Sequence, residues 1–344
     1  METVPIVGYS DKLSGRPGDR INFMVSSEHK GDFTAQLFRS VNADPNPKGQ
    51  GIVEYACDDF FQKQSFSSRK QKFHPGSYGI TEQSVKMSVA DNVSFSVTIY
   101  PTLKTSSPQS LIDYGQFCLT LDSEGHASFS CGSKTVTTVD AVTLRRWHRI
   151  EAQINKTGLM SVELINLDNS KGSIPTVVQF DMKLDLNEQA NVIIAAQLVE
   201  GSTKNCFNGK IEGPKICADA QSVAYWDFSK NTPSLSASGV ACPDLILVNA
   251  PTRAVTGALW DASEMNWQHK PEHYAAIAFH EDDIYDFNWE SDFSFVIPPK
   301  MPSGIYVMRI SCENDYDAIP FFVCPEKEQP TAKLCVLVST FTYV

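Results

Sequence analysis

What the sequence lacks narrows it first. No apolar run approaches the ~20 residues that cross a bilayer, and the N-terminus, Met1-Glu2-Thr3-Val4-Pro5, has neither the cationic start nor the apolar core of a signal peptide. Basic blocks are missing as well; the nearest are Arg69-Lys70-Gln71-Lys72 and Arg145-Arg146. With 40 acidic against 29 basic residues and a formal charge of −11, the composition argues against an electrostatic grip on nucleic-acid phosphates or anionic lipid, because such grips need clustered cations. Neither Gly-x-Gly-x-x-Gly nor Gly-x-x-x-x-Gly-Lys-Ser/Thr occurs, nor Gly-x-Ser-x-Gly, so nucleotide cradles and the commonest esterase elbow lose their signals. None of the nine cysteines forms a Cys-x-x-Cys pair, and their odd number in a large chain points to free buried thiols and a cytoplasmic location. The sequons Asn92-Val93-Ser94 and Asn155-Lys156-Thr157 matter only in a secreted chain. Helical periodicity is scarce too, Leu184 to Val192 being the weak best candidate.

What remains is the period of strands, in a globular composition of 344 residues with 42% hydrophobic and 20% charged content. Ile21-Asn22-Phe23-Met24-Val25 and Phe33-Thr34-Ala35-Gln36-Leu37 mostly alternate, and Arg16-Pro17-Gly18-Asp19 supplies turn chemistry before the first. Between Val93 and Phe228 short alternating segments follow one another at the spacing of a sandwich: Phe95 to Tyr100, Phe117 to Leu121, Ala127 to Ser130 and Trp147 to Ile154. Their turns are Asp122-Ser123-Glu124-Gly125 and Asn155-Lys156-Thr157-Gly158. This order resembles a concanavalin-like or laminin-G-like jelly roll. A third section carries Ala275 to His280, Asp292 to Pro299, Ser303 to Ile310 and Ala318 to Pro325. Its Gly304-Ile305-Tyr306 resembles the corner of immunoglobulin-like sandwiches, where a phenol bonds nearby backbone.

Neither end section has enough strands to close alone. The expectation is therefore an all-β chain: a discontinuous immunoglobulin-like sandwich from 1–57 and 243–326, a linker at 58–90, and an inserted jelly roll at 91–230. The last segment, 331–344, carries a near-continuous apolar run from Lys333 to Val344, which suits the first strand of a parallel sheet buried on both faces. A parallel strand needs crossover partners that do not follow it here, so the chain is expected to be a fragment or to be completed by a partner chain.

Chemistry-bearing residues are densest between His269 and Asp283. His269, His273 and His280 with Glu272, Glu281, Asp282 and Asp283 could ligate a metal, but Pro271 argues against the helix that the His269/His273 spacing requires. Scattered His and Asp on loops are ordinarily solvated or hydrogen-bonded. Asp282 and Asp283 could pair for acid and base work or hold calcium only from a turn, where Asp is also a favoured capping residue. Trp226, Trp260, Trp267, Trp289, Tyr274 and Tyr285 could form a sugar platform, although core packing is the commoner use of such rings. No residue is assigned as catalytic, cofactor-binding or metal-ligating.

Taken in order, several strings resemble the large subunit of N,N-dimethylformamidase and its relatives. They include Ile6-Val7-Gly8-Tyr9-Ser10-Asp11-Lys12, Asp44-Pro45-Asn46-Pro47, Phe73-His74-Pro75-Gly76-Ser77-Tyr78, Trp226-Asp227-Phe228-Ser229, Trp289 with Asp292-Phe293, and Ile319-Pro320-Phe321-Phe322-Val323. The resemblance spans this chain and about the first half of the family's protein. It implies β domains preceding an α/β catalytic domain that holds one iron ion through tyrosine and glutamate and hydrolyses a formamide C–N bond. It also implies a small helical subunit and a homo-oligomer. Tyr343 lies on the matched terminal strand but is not carried over as a ligand, so this chain alone is expected to be an inactive β scaffold. The alternatives are a free-standing glycan- or protein-binding module, and an enzyme using a metal at the His269 to Asp283 cluster.

Overall fold

The computed structural model describes residues 5–168, 173–181, 184–232, 234–329 and 332–339. The chain is all-β: among the described residues the one helical element is the short 3-10 turn Pro271–Tyr274. Leu184 to Val192 is not helical; it contains the strand Leu186–Ala190 and leads into Val192–Ile194. Two compact units emerge, an outer one from Met1–Phe73 with Phe287–Val344 and an inner one from His74–Asp286.

The outer unit has a three-stranded sheet in the order Ile6–Ser10, Arg20–Ser27, Phe293–Val296. Its six-stranded sheet runs Ser14–Gly15, Asp315–Val323, Gly304–Cys312, Phe33–Ala43, Ile52–Ala56, and Gln64–Phe66 adds to the fourth of these. Alternation along Phe33–Ala43 buries Phe33, Ala35 and Leu37 on one face. Phe23 pairs in register with Phe293, and their rings stack at 5.0 Å. Each fully buried Phe contributes about 2–3 kcal/mol of apolar transfer to this core. The Tyr306 phenol donates to Pro302 C=O at 2.8 Å, four residues back, and ties the strand entrance to the preceding loop.

The inner unit has two eight-stranded sheets around one apolar cluster that includes Phe95, Phe117, Phe129 and Trp226. In one sheet Gln109–Tyr114 lies between Phe117–Leu121 and Val192–Ile194, and Tyr78–Thr81 and Leu245–Val248 continue it. In the other, Asn92–Pro101 lies between His148–Asn155 and Gly209–Ala218, followed by Ala276–Phe279 and Thr252–Val255.

Two boundaries differ from the sequence expectation. Residues 58–90 are not a bare linker but hold Gln64–Phe66 in the outer unit and Tyr78–Thr81 and Val85–Ala90 in the inner one. Residues 243–286 pair inside the inner sheets, Leu245–Val248 with Tyr78–Thr81 and Ala276–Phe279 with Gly209–Ala218. Alternation identifies a strand but not the sheet that receives it. Of the terminal apolar segment, 332–339 form no ladder, with Leu334, Val336 and Leu337 exposed at 87%, 81% and 96%; 340–344 lie outside the described residues.

Candidate functional site

Trp226 organises the site by pointing away from it. Its ring is fully buried and its Nε1–H donates to Pro243 C=O at 3.0 Å, which satisfies the indole inside the core. Tyr225 and Asp227 flank it, and both line a half-open cleft of about 440 Å³ with Glu212, Lys230, Leu259 and Glu272.

Glu212 comes from Gly209–Ala218, just before the register of that strand against Asn92–Pro101 shifts between Glu212 and Lys215. Bulges of this kind re-aim side chains at sheet surfaces. The Glu212 Oε2 accepts the Ala258 N–H at 2.7 Å. Gly257 permits that approach, since a Cβ there would lie 2.7 Å from the same oxygen. Burial pushes the Glu212 carboxyl above the usual carboxylate range; the Ala258 bond pulls it back and the nearby Asp227 carboxylate raises it again. Asp227 Oδ1 accepts Ser229 Oγ–H at 2.6 Å and Ser229 N–H at 3.1 Å, which pins its carboxylate in a local turn. Burial raises the Tyr225 phenol, with Asp227 and Glu212 adding to the shift.

One segment of the lining, Phe228 to Lys230, is held by Arg253. Its guanidinium donates to the carbonyls of Phe228, Lys230, Asn231, Ser234 and Ser236 at 2.7–3.3 Å, so one side chain fixes the loop that carries Lys230. Burial lowers its pKa. Two residues before Glu212, Lys210 places Nζ 5.3 Å from the Tyr100 ring centroid and donates to Thr256 Oγ1 at 2.7 Å. The cleft therefore presents a carboxyl held above its usual pKa range by burial, a turn-fixed carboxylate and a phenol to one opening. That set can donate and accept protons or hydrogen bonds toward a small polar ligand.

The residues singled out by sequence go elsewhere. His269 is exposed beside Glu264, His273 is buried with Nδ1 3.4 Å from Asp261, and His280 lies 3.5 Å from Asp283. Asp283 accepts Ser77 Oγ–H at 2.6 Å, and Ser77 Oγ accepts the His280 N–H at 3.1 Å. The serine thus locks a turn rather than facing the imidazole as a nucleophile would. Asp282 and Glu281 are exposed, while Glu272 alone of that group lines the cleft. Among the described residues no three His, Cys, Asp or Glu side chains converge as metal donors, so the iron implied by the resemblance finds no fitting set in them. Trp226 and Tyr274 are buried, and Trp289 packs with Tyr9 and Phe287 in the outer unit at 5.5 and 5.0 Å. All nine cysteines are free; Cys131 and Cys312 are buried, Cys335 is exposed and the others are half-buried.

Sequence reading missed Glu212, Tyr225 and Asp227 as a group. The available signal was the Trp226 between two polar neighbours in a strand-like string, which places 225 and 227 together on the face opposite a buried ring.

A family model described as N,N-dimethylformamidase beta subunit-like, C-terminal, matches residues 252–344. Over its whole length the chain is similar to the N,N-dimethylformamidase beta subunit of Paracoccus aminophilus, at 30% identity, and to that of an Alcaligenes species, at 29%. The chain spans about half the length of these curated relatives, 52% of each. Among solved structures it is similar to a heptameric SAP-like pentraxin from Limulus polyphemus, at 11% identity and a TM-score of 0.30 over 55% of this chain and 77% of that one, too slight to carry an argument.

Proposed function

We propose that this chain is a non-catalytic β scaffold of an N,N-dimethylformamidase-like amidohydrolase. It shapes and covers a catalytic region supplied outside residues 1–344. The observation that carries this reading is similarity along the entire chain to two dimethylformamidase beta subunits. In this reading the inner unit is the laminin-G-like jelly roll and the outer unit the immunoglobulin-like sandwich. The iron ion belongs to the catalytic region, where a Lewis acid would activate water against a formamide carbon. A small helical subunit, a homo-oligomer and a cytoplasmic location complete the proposal. The cleft at Glu212 and Asp227 favours a second reading, a binding module whose inner unit recognises a polar ligand such as a glycan.

The test is immunocapture of the native assembly with an antibody raised against this chain, followed by measurement of dimethylamine released from N,N-dimethylformamide. Release by the captured assembly supports the scaffold. An assembly that hydrolyses no formamide, together with saturable glycan binding by the isolated chain, supports the module instead.

A further inference from the structure

The inward-facing positions of Phe33–Ala43 read Phe33, Ala35, Leu37 and then Arg39, so the apolar stripe of the outer unit ends in a cation. Arg39 sits opposite the buried Tyr306 in the ladder and is only half exposed. Other half-buried arginines of this unit face carboxylates, Arg69 on Asp292 and Arg309 on Glu54. Among the described residues Arg39 has no such partner: its guanidinium makes one long bond, Nη2 to Ser303 C=O at 3.5 Å. A guanidinium carries five N–H donors in a planar fork that matches a carboxylate, and nearly all of that capacity is unused here.

The fork opens on a cleft of about 670 Å³ whose lining includes Pro17, Pro299, Met301, Pro302 and Pro325. Proline φ angles are fixed, so such a rim changes shape little on binding. Lys300 and Glu326 also line it, and both are exposed. Two cations against one carboxylate leave a single net positive charge, which suits a monoanion better than a phosphate dianion. The four proline rings and Met301 in this mixed lining give a hydrocarbon body attached to that anion a surface to pack on.

We propose that this Arg39 cleft binds a monocarboxylate carried on an apolar body, with Arg39 gripping the carboxylate and Lys300 adding charge. The site is independent of the scaffold reading and stands whether or not the chain serves a formamidase.

Calorimetric titration of the full chain with benzoate and hexanoate, with benzyl alcohol and inorganic phosphate as comparison probes, tests it. Saturable one-to-one binding of the carboxylates is expected, with benzyl alcohol and phosphate weaker by about tenfold or more, the loss typical of a missing charge-assisted pair. Arg39→Met should cost at least about tenfold, Lys300→Met about two- to fivefold, and Glu326→Gln should tighten binding about two- to fivefold. Because Lys300 and Glu326 are exposed, their variants keep the test decisive even if Arg39→Met fails to fold. No saturable carboxylate binding, phosphate binding tighter than benzoate, or affinities unmoved by the Lys300 and Glu326 variants would each overturn the proposal.

Discussion

The two units treat buried charge differently. In the outer unit, Arg69 Nε meets Asp292 at 2.8 Å, Arg309 meets Glu54 while lying 4.4 Å over the Phe38 ring, and His29 Nε2 lies 2.8 Å from Asp315. Among the described residues of the inner unit, the ion pairs not involving histidine are surface pairs such as Lys156 with Asp91 and Arg149 with Glu151. Its half-buried charges stand apart: Arg253 on carbonyls, Lys210 on rings and a threonine, Glu212 on one amide, and Asp113 beside the Cys118 thiol. Paired charges fix register and orientation, whereas an uncompensated carboxyl at a cleft costs stability and is the usual mark of a group kept for binding or proton transfer. The contrast places the groups free to meet a ligand in the inner unit and the charges that pair in the outer one, with Arg39 as the outer unit's exception.

The largest effect that could break this contrast belongs to Arg253→Met. Removing one donor from five carbonyls should lower inner-unit stability by about 3–5 kcal/mol, read from urea unfolding monitored by hydrogen exchange along Asn92–Pro101. A loss below about 1 kcal/mol would mean that water satisfies those carbonyls and that the loop needs no clamp. Next comes Asp292→Ala in the outer unit. Asp292 Oδ2 accepts the Val25 N–H at 2.7 Å and Oδ1 accepts Arg69 Nε–H, so its removal orphans both donors and should cost about 2–3 kcal/mol. Unchanged thermal unfolding would show that the outer pairs are ornamental.

Asp113 sharpens the comparison through pH. Burial raises its carboxyl to about 6, a shift that the Cys118 bond only partly offsets, and the Cys118 thiol is itself pushed up to about 12 by burial and Asp113. A carboxyl whose folded pKa exceeds its unfolded value near 3.8 contributes stability that is fully present below pH 3.8 and lost as pH rises through about 6. Asp113→Asn should therefore be more stable than the wild type at pH 7.5, by on the order of 1–2 kcal/mol in urea unfolding, with the advantage vanishing near pH 3.5. An advantage independent of pH would assign the gain to packing instead. The smallest effect is expected from Glu212→Gln, which keeps an oxygen for the Ala258 amide and removes a disfavoured charge. A gain of about 0.5 kcal/mol at pH 7.5 is the expected result, and a clear loss would show that the charged form is the one the fold prefers.

Much of this fold was legible because alternation is a local property. Phe33, Ala35 and Leu37, or Phe95, Val97 and Ile99, announce their buried face within a few residues. Sheet membership is not local. Leu245–Val248 carries the same kind of string as the outer strands, and only its pairing with Tyr78–Thr81 assigns it to the inner unit. The cleft was hidden for a related reason: Glu212, Asp227 and Glu272 are separated in sequence and meet through a register shift and the loop clamped by Arg253. The His269 to Asp283 cluster shows that density along the chain is not convergence in space; a 3-10 turn and a serine-locked turn send its members to different surroundings, in keeping with the reading of scattered, hydrogen-bonded groups.

The central proposal is that this chain is a non-catalytic part of a formamide-hydrolysing assembly. Its most direct test is to load the isolated chain with ferrous ion and follow formate release from N,N-dimethylformamide, alongside metal analysis after gel filtration. The account predicts neither turnover nor stoichiometric iron. Sustained turnover by the chain with one retained iron ion would contradict it.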